Sequence, residues 1–178
     1  MNKGILLVIL AAAGIGGYLA YQSSVQKKSA SAGAAATKGP GPGDPVLSEE
    51  ETPASVMVSV ARLRRQADQD AQAAQWVGHW LPESGWMGPV EAITNTSGGK
   101  SFRIPFTTTG LLTNAMWVVA EVPEGWQYSN GFEAETRNFI TFGGRIDKVE
   151  VIPASTYKPV PDYRIVVKDA YVMSISGR

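Results

Sequence analysis

The chain has no cysteine, and its 178 residues include a single histidine, His79. Without cysteine there is no disulfide framework, no thiolate metal site, no cysteine nucleophile and no lipidated cysteine. One histidine cannot build the usual multi-histidine metal site. A Ser-His-Asp set would have to use His79, yet no G-x-S-x-G is present to present a serine. An excess of either charge is missing too: 16 basic residues face 16 acidic ones. Bulk attraction to nucleic acid or to anionic lipid is therefore absent. Gly98-Gly99-Lys100-Ser101 lacks the first glycine of a phosphate loop and precedes a strand, not a helix. Glu133 and Glu135 lie in a polar loop with no apolar setting to raise a carboxyl pKa. The pattern reads as non-enzymatic, with no catalytic residue, no metal site and no cofactor.

What is present begins with Gly4 to Tyr21, eighteen residues without a charge. At a helical rise such a run spans roughly 27 Å, about a bilayer core. Tyr18 and Tyr21 fall where amphipathic rings favour the interface. The competing reading is a cleaved signal peptide. Its small-x-small site would be Ala30-Ser31-Ala32, far past the apolar run with Lys27 and Lys28 between. Residues 1–21 are thus expected to be an uncleaved single-pass anchor with the lipid bilayer as partner. The domain beyond is expected to be extracytoplasmic, although Lys3 on one side and Lys27 and Lys28 on the other leave the topology open. Ala12/Gly16 and Ala13/Gly17 are small residues four apart, the spacing that lets two spans approach as a homo-oligomer.

Residues 22–52 are rich in Ser, Ala, Gly and Pro, with GPGPGDP at 39–45 and Glu49-Glu50-Glu51 near the end. Lacking apolar periodicity, this stretch predicts a flexible linker. Thr52-Pro53 then reads as an N-cap followed by proline at the first helical position. Val56, Val60, Leu63, Ala67, Ala71 and Ala74 recur at spacings of three and four. They predict one amphipathic helix over 53–77. Arg62, Arg64 and Arg65 read as a solvated face.

The remaining residues, 78–178, carry the strand signals. Candidates are Trp86–Thr94, Ser101–Thr107 and Ala115–Val122, with a turn by composition at Thr94–Gly99 and Pro105 marking a strand end. Two long strands follow. In the first, Ile140, Phe142 and Ile146 share one parity and Val149 and Val151 the other, so a bulge is expected, with Gly143-Gly144 as the bend. In the second, Tyr163, Ile165 and Val167 alternate with Arg164, Val166 and Lys168, and the parity shifts near Asp169-Ala170. Long bent strands with glycine at the corner suit a small closed barrel.

The order of helix, tryptophan-rich opening, three strands, connector and two long strands resembles the OB-fold. It is most similar to the anticodon-binding-like OB domains of small secreted or membrane-attached bacterial proteins. Gly78, Gly88 and Val90 match the opening pattern of that group. Gly144, Ile146, Val167, Asp169, Ala170 and Val172 match its close. The resemblance covers about Gln75 to Ile175 and departs at Pro123–Asn138, where nothing aligns. It implies a mainly β fold, a five-stranded OB-like barrel preceded by one α-helix and by the transmembrane helix. It does not imply an activity. A β-sandwich is the alternative fold.

An OB-fold invites a single-stranded nucleic-acid reading, in which stacking aromatics line a basic groove. From Gly78 onward, nine basic residues stand against ten acidic ones. That balance argues against nucleic acid. The leading expectation is a membrane-tethered, non-enzymatic interaction or structural module that binds other proteins of a membrane assembly. Cell envelopes, secretion or pilus machinery and membrane-containing virions all use such parts. The candidate interaction surface is Trp80, Trp86, Arg103, Trp117, Trp126, Arg145, Arg164 and Lys168, tryptophans and arginines being the residues interfaces favour. If residues 4–21 anchor the chain, Leu10→Arg puts a guanidinium near the bilayer centre at a cost of about 2.5–3.5 kcal/mol. The variant should leave the carbonate-resistant membrane fraction; retention there, or a mature N-terminus at Gly33 by intact mass, would refute the anchor.

Overall fold

The computed structural model describes residues 39–106, 113–124 and 134–176. The fold is mainly β, a six-stranded sheet curled into a half-barrel with two short helices. Among the described residues no helix is long and apolar enough to cross a membrane. Gly4–Tyr21 lies outside them.

Helix α1, Pro53–Ala61, starts as the sequence suggests. Thr52 accepts a hydrogen bond from the Ser55 amide at 3.2 Å, and Ser55 Oγ accepts one from the Thr52 amide at 2.9 Å. This reciprocal cap is worth about 1 kcal/mol. Val56, Met57 and Val60 enter the core. The single helix expected over 53–77 is instead two, because the chain turns at Arg62–Arg65 into α2, Gln66–Trp76. Twenty-five residues in one helix would run roughly 38 Å, and their second half offers mainly alanine to bury. Folding back lets Gln69 and Ala73 reach the core. Two side-chain bonds hold the hairpin: Gln69 Nε2 donates to Leu63 O at 2.9 Å, and Trp76 Nε1 donates to Ser59 Oγ at 3.2 Å.

The strands are β1, Trp86–Pro89; β2, Ala92–Thr96; β3, Gly99–Pro105; β4, Met116–Pro123; β5, Phe139–Ile152; and β6, Asp162–Ser176. Their spatial order is β1-β5-β6-β4-β3-β2 in one continuous sheet. A sandwich of two separate sheets is therefore not what forms. All pairings are antiparallel except β4 with β6, which run parallel from Met116↔Tyr163 to Ala120↔Val167. The two outermost strands, β1 and β2, are consecutive in the chain, the stretch expected as one strand. Their pairing changes partner at Val90 and Glu91. Val90 exchanges hydrogen bonds with Arg137 and Asn138 ahead of β5, and the Glu91 amide donates to Arg103 O in β3.

The core follows the alternation. Phe102 and Ile104, Val118 and Ala120, Ile140 and Phe142, and Ile165 and Val167 all point inward. Tyr163 is buried with them, and its hydroxyl is hydrogen-bonded to Asn114 and Gln69. Burial pushes that hydroxyl above its ordinary pKa, against the two hydrogen bonds. The parity slips have a visible cause. The β5–β6 register shifts at Thr141/Phe142, at Gly143/Arg145 and at Ile146/Lys148. Asp169 takes a left-handed φ of 51° opposite the glycines.

Gly144 has φ 149°, and a Cβ there would lie 2.6 Å from Val167 Cγ1. Both the conformation and the contact exclude a side chain. Gly144→Ala should lower stability by about 1–3 kcal/mol from strained backbone alone, with the clash adding to it. Thermal unfolding measures this; an unchanged midpoint would show that the bend is not required.

Candidate functional site

The segment expected to be a flexible linker to Thr52 is instead held against the domain from Asp44 onward. It forms a strap. The Leu47 amide donates to Trp80 O at 2.9 Å and the Trp80 amide to Pro45 O at 2.8 Å, and Leu47 is buried. Glu49 receives hydrogen bonds from the amide and hydroxyl of Ser84. The composition of 39–45 conceals this, because a strap held by its backbone and two or three side chains needs no apolar period.

Trp80 and Trp86 belong to this strap and not to an exposed interaction surface. They are 8% and 4% exposed. The indole of Trp80 donates to Asp44 Oδ2 at 3.1 Å and that of Trp86 to Glu51 O at 2.8 Å. A buried indole N–H needs an acceptor, and the strap supplies both. His79 lies on the next layer of the same region. It meets Trp76 edge to face at 6.4 Å, and its backbone pairs with Ile146. Its buried Nδ1 has no hydrogen-bond partner among the described residues. No group of three or more His, Asp or Glu among them is placed to hold a metal ion.

The other predicted surface residues divide into two groups. Arg145 and Lys168 stand directly opposite each other on β5 and β6. Facing like charges repel, and the strands resolve this by crossed pairing. Arg145 binds Asp169 at 3.2 Å and Lys168 binds Asp147 at 3.1 Å. An open depression of about 340 Å³ lies beside Lys168 and Asp169, rimmed by Thr96, Gly98, Lys100 and Glu121. Its charges are of both signs, so it offers no concentrated field.

Arg103, Trp117 and Arg164 come together on the outer face of β3, β4 and β6. Trp117 alternates with the buried Val118, and Arg164 with the buried Tyr163 and Ile165. The Arg103 guanidinium lies over the Trp117 ring at 4.7 Å, a cation–π contact. Arg164 is the register partner of Trp117 in the parallel pair. Both cations have carboxylates: Arg103 pairs with Glu91 at 3.1 Å, and Arg164 with Glu150 at 2.6 Å. Trp117 is thus held at the centre of a strip that runs Glu91, Arg103, Trp117, Arg164, Glu150 across the sheet. Val119 and Val166, paired in register, come next along the same strands, and Val166 is buried.

Trp126 lies outside the described residues. Two features escaped the sequence reading. One is the strap with Asp44 and Glu51. The other is Tyr157, 89% exposed, in the loop from β5 to β6. That loop is tied to the start of β4, two residues before Trp117, since Asp162 Oδ1 accepts the Ala115 amide at 2.7 Å and the Lys158 ammonium at 2.5 Å. An exposed Tyr inside the turn at Ser155–Lys158 is visible in the sequence only once the loop is placed.

Comparison with known proteins finds no matching family model, no matching curated protein and no matching solved structure.

Trp80→Phe keeps the ring but removes the bond to Asp44. Loss of a buried hydrogen bond costs about 1 kcal/mol, more where the acceptor is charged. The strap should open more often while the sheet persists. Limited proteolysis should then cut ahead of Leu47 several-fold faster, with little change in far-ultraviolet circular dichroism. Equal cleavage rates would contradict a strap held by Trp80.

Proposed function

We propose that this chain is a membrane-tethered, non-enzymatic interaction module whose docking face is the Trp117 strip. The barrel belongs to the OB type in this reading. Counting β1 and β2 as one bent strand leaves five strands, with the third and fifth parallel, and the strip falls on the outer face of the second and third. The membrane tether is the apolar run 4–21, and the partners are other proteins of a membrane-associated assembly. The observation that carries the proposal is Trp117 itself, an aromatic fixed under Arg103 and beside Arg164 on an outer sheet face. Tryptophan and arginine are the residues most enriched where binding energy concentrates. The paired carboxylates favour a protein partner of mixed charge over a polyanion. Tethering raises the local concentration of such a face at the membrane, so a weak contact suffices.

A second reading has one specific observation in its favour. The outer face of the second and third strands is where OB barrels bind oligonucleotides, and it is where Arg103 and Trp117 meet. Against it, Arg103 occupies one face of the indole, and both arginines are neutralised by glutamates.

The test compares full-length wild type with Trp117→Ala in mild detergent. Chemical cross-linking in the native membrane identifies the partners, and the purified pair is then titrated. Truncation of a central anchor is expected to weaken that binding by about 2 kcal/mol or more, roughly thirtyfold, without loss of fold. Titration of the same proteins with single-stranded DNA and RNA at two salt concentrations separates the readings. Tight binding that weakens steeply with salt would replace the proposal with the nucleic-acid reading. Unchanged partner binding by Trp117→Ala would remove the strip as the docking face.

A further inference from the structure

The turn between α1 and α2 concentrates positive charge in a way the barrel avoids. On the sheet, Arg103, Arg145, Arg164 and Lys168 each face a carboxylate within 3.2 Å. At the turn, Arg62, Arg64 and Arg65 are all exposed, and no ion pair among the described residues involves them. Of the two nearby acids, Asp70 is engaged by Gln66 Nε2 at 2.8 Å, and Asp68 lies in the first turn of α2 and forms no ion pair among the described residues. The corner is rigid. The Leu63 amide donates to Val60 O at 3.1 Å, Leu63 O accepts the Gln69 side chain, and Leu63 is half-buried. The arginines therefore project from a fixed knuckle.

The sequence keeps this charge at a local cost. Arg65 is the N-cap of α2 and makes no side-chain cap bond. Serine, threonine, aspartate or asparagine at that position would stabilise the helix, and a cation opposes the macrodipole there. A choice that breaks the local rule without a compensating contact points to a role outside the fold.

We infer that the Arg62–Arg64–Arg65 knuckle docks the domain on an anionic lipid surface. The inference rests on the membrane reading given above. Three considerations favour a membrane over a discrete anion. The three arginines are all exposed, within four consecutive residues. Seventeen residues separate the proposed anchor from Gly39, where the described structure begins, and so many residues span at most roughly 60 Å. Basic groups close to an anionic leaflet each strengthen attachment by roughly fivefold, and tethering makes even that modest gain decide orientation. Docking through the knuckle would fix which way the Trp117 strip faces.

The absence of native cysteine makes a clean probe available. Ala67→Cys, at an exposed position beside the knuckle, carries a single fluorophore on the full-length chain. The labelled chain is reconstituted in vesicles of phosphatidylcholine alone, or with an equal amount of phosphatidylglycerol, each containing a headgroup-attached quencher. Quenching is expected in the anionic vesicles and little in the neutral ones. Arg62→Gln, Arg64→Gln and Arg65→Gln together should reduce the docked-to-free ratio on the order of a hundredfold, and raised salt should do the same. The thermal midpoint of the triple variant should stay at or above wild type, which separates docking from a structural role. Equal quenching in both vesicle types, or wild-type quenching by the triple variant, would overturn the inference. So would full release by inorganic phosphate at matched ionic strength, which would indicate a discrete phosphate site. Flotation with neutral vesicles reads the anchor alone. If the chain fails to float with them yet binds anionic ones through the arginines, the tether falls and the knuckle stands.

Discussion

The pairing of β5 with β6, bent at Gly143 and Gly144, is the constraint on which the other elements depend. β5 carries β1 on its far edge, and β6 carries β4 and through it β3 and β2. Neither strand can curl without the two glycines. At Gly143 the ring of Tyr171 lies where a Cβ would be, and at Gly144 Val167 and the Ala170 backbone crowd the same space. Burial pushes the Tyr171 hydroxyl above its ordinary pKa as the ring covers this bend. Sheets close by such bulges and glycine kinks. Here the register shifts on either side of the kink swap which residues face inward. Ile146 and Val149, of opposite parity, both end in the core for that reason.

This much is legible in the sequence because period-two alternation and its slips are written directly in residue type. Ile140, Phe142 and Ile146 against Val149 announced a bulge, and Gly143-Gly144 announced a bend. The helical region was less legible. Val56, Val60 and Leu63 continue into an alanine series that keeps the right spacing, so periodicity alone supports one long helix. The break depends on the Gln69 side chain, which reaches back to Leu63 O and meets Tyr163, and the second contact lies outside any local window. Gln69 is the buried polar side chain among the described residues. It is satisfied only because the hairpin folds back onto β6.

The candidate site divides along the same line. Arg103, Arg145, Arg164 and Lys168 were placed on the outer face by alternation, and that is where they lie. Trp80 and Trp86 were not, because tryptophan is as much a core residue as an interface residue, and burial is decided by what covers it. The cover is a Gly- and Pro-rich strap whose composition signals disorder. Its order comes from two indole N–H groups that must find acceptors once their rings are buried. Asp44 and the Glu51 carbonyl are those acceptors. The tryptophans that sequence reading assigned to recognition instead attach residues 44–52 to the domain, and that shortens any free spacer to the residues before Asp44.

Charge then decides what the remaining surface can recognise. A chain with balanced charge can distribute it evenly or segregate it. Here the sheet pairs Arg103, Arg145, Arg164 and Lys168 one by one with carboxylates, partly because Arg145 and Lys168 face each other across adjacent strands and each needs a counter-ion close by. Exposed pairs of this kind add little stability, typically under about 1 kcal/mol each. Their larger consequence is electrostatic. Paired cations project little field beyond a Debye length of roughly 8 Å, so a partner docking on the Trp117 strip, as proposed, would be selected by contact and shape and not by long-range attraction. The arginines at the α1–α2 turn, which form no ion pair among the described residues, are the counterpart, where the proposed lipid contact would act through field and not through fit. On that reading the lipid contact needs no specificity and the protein contact needs no reach.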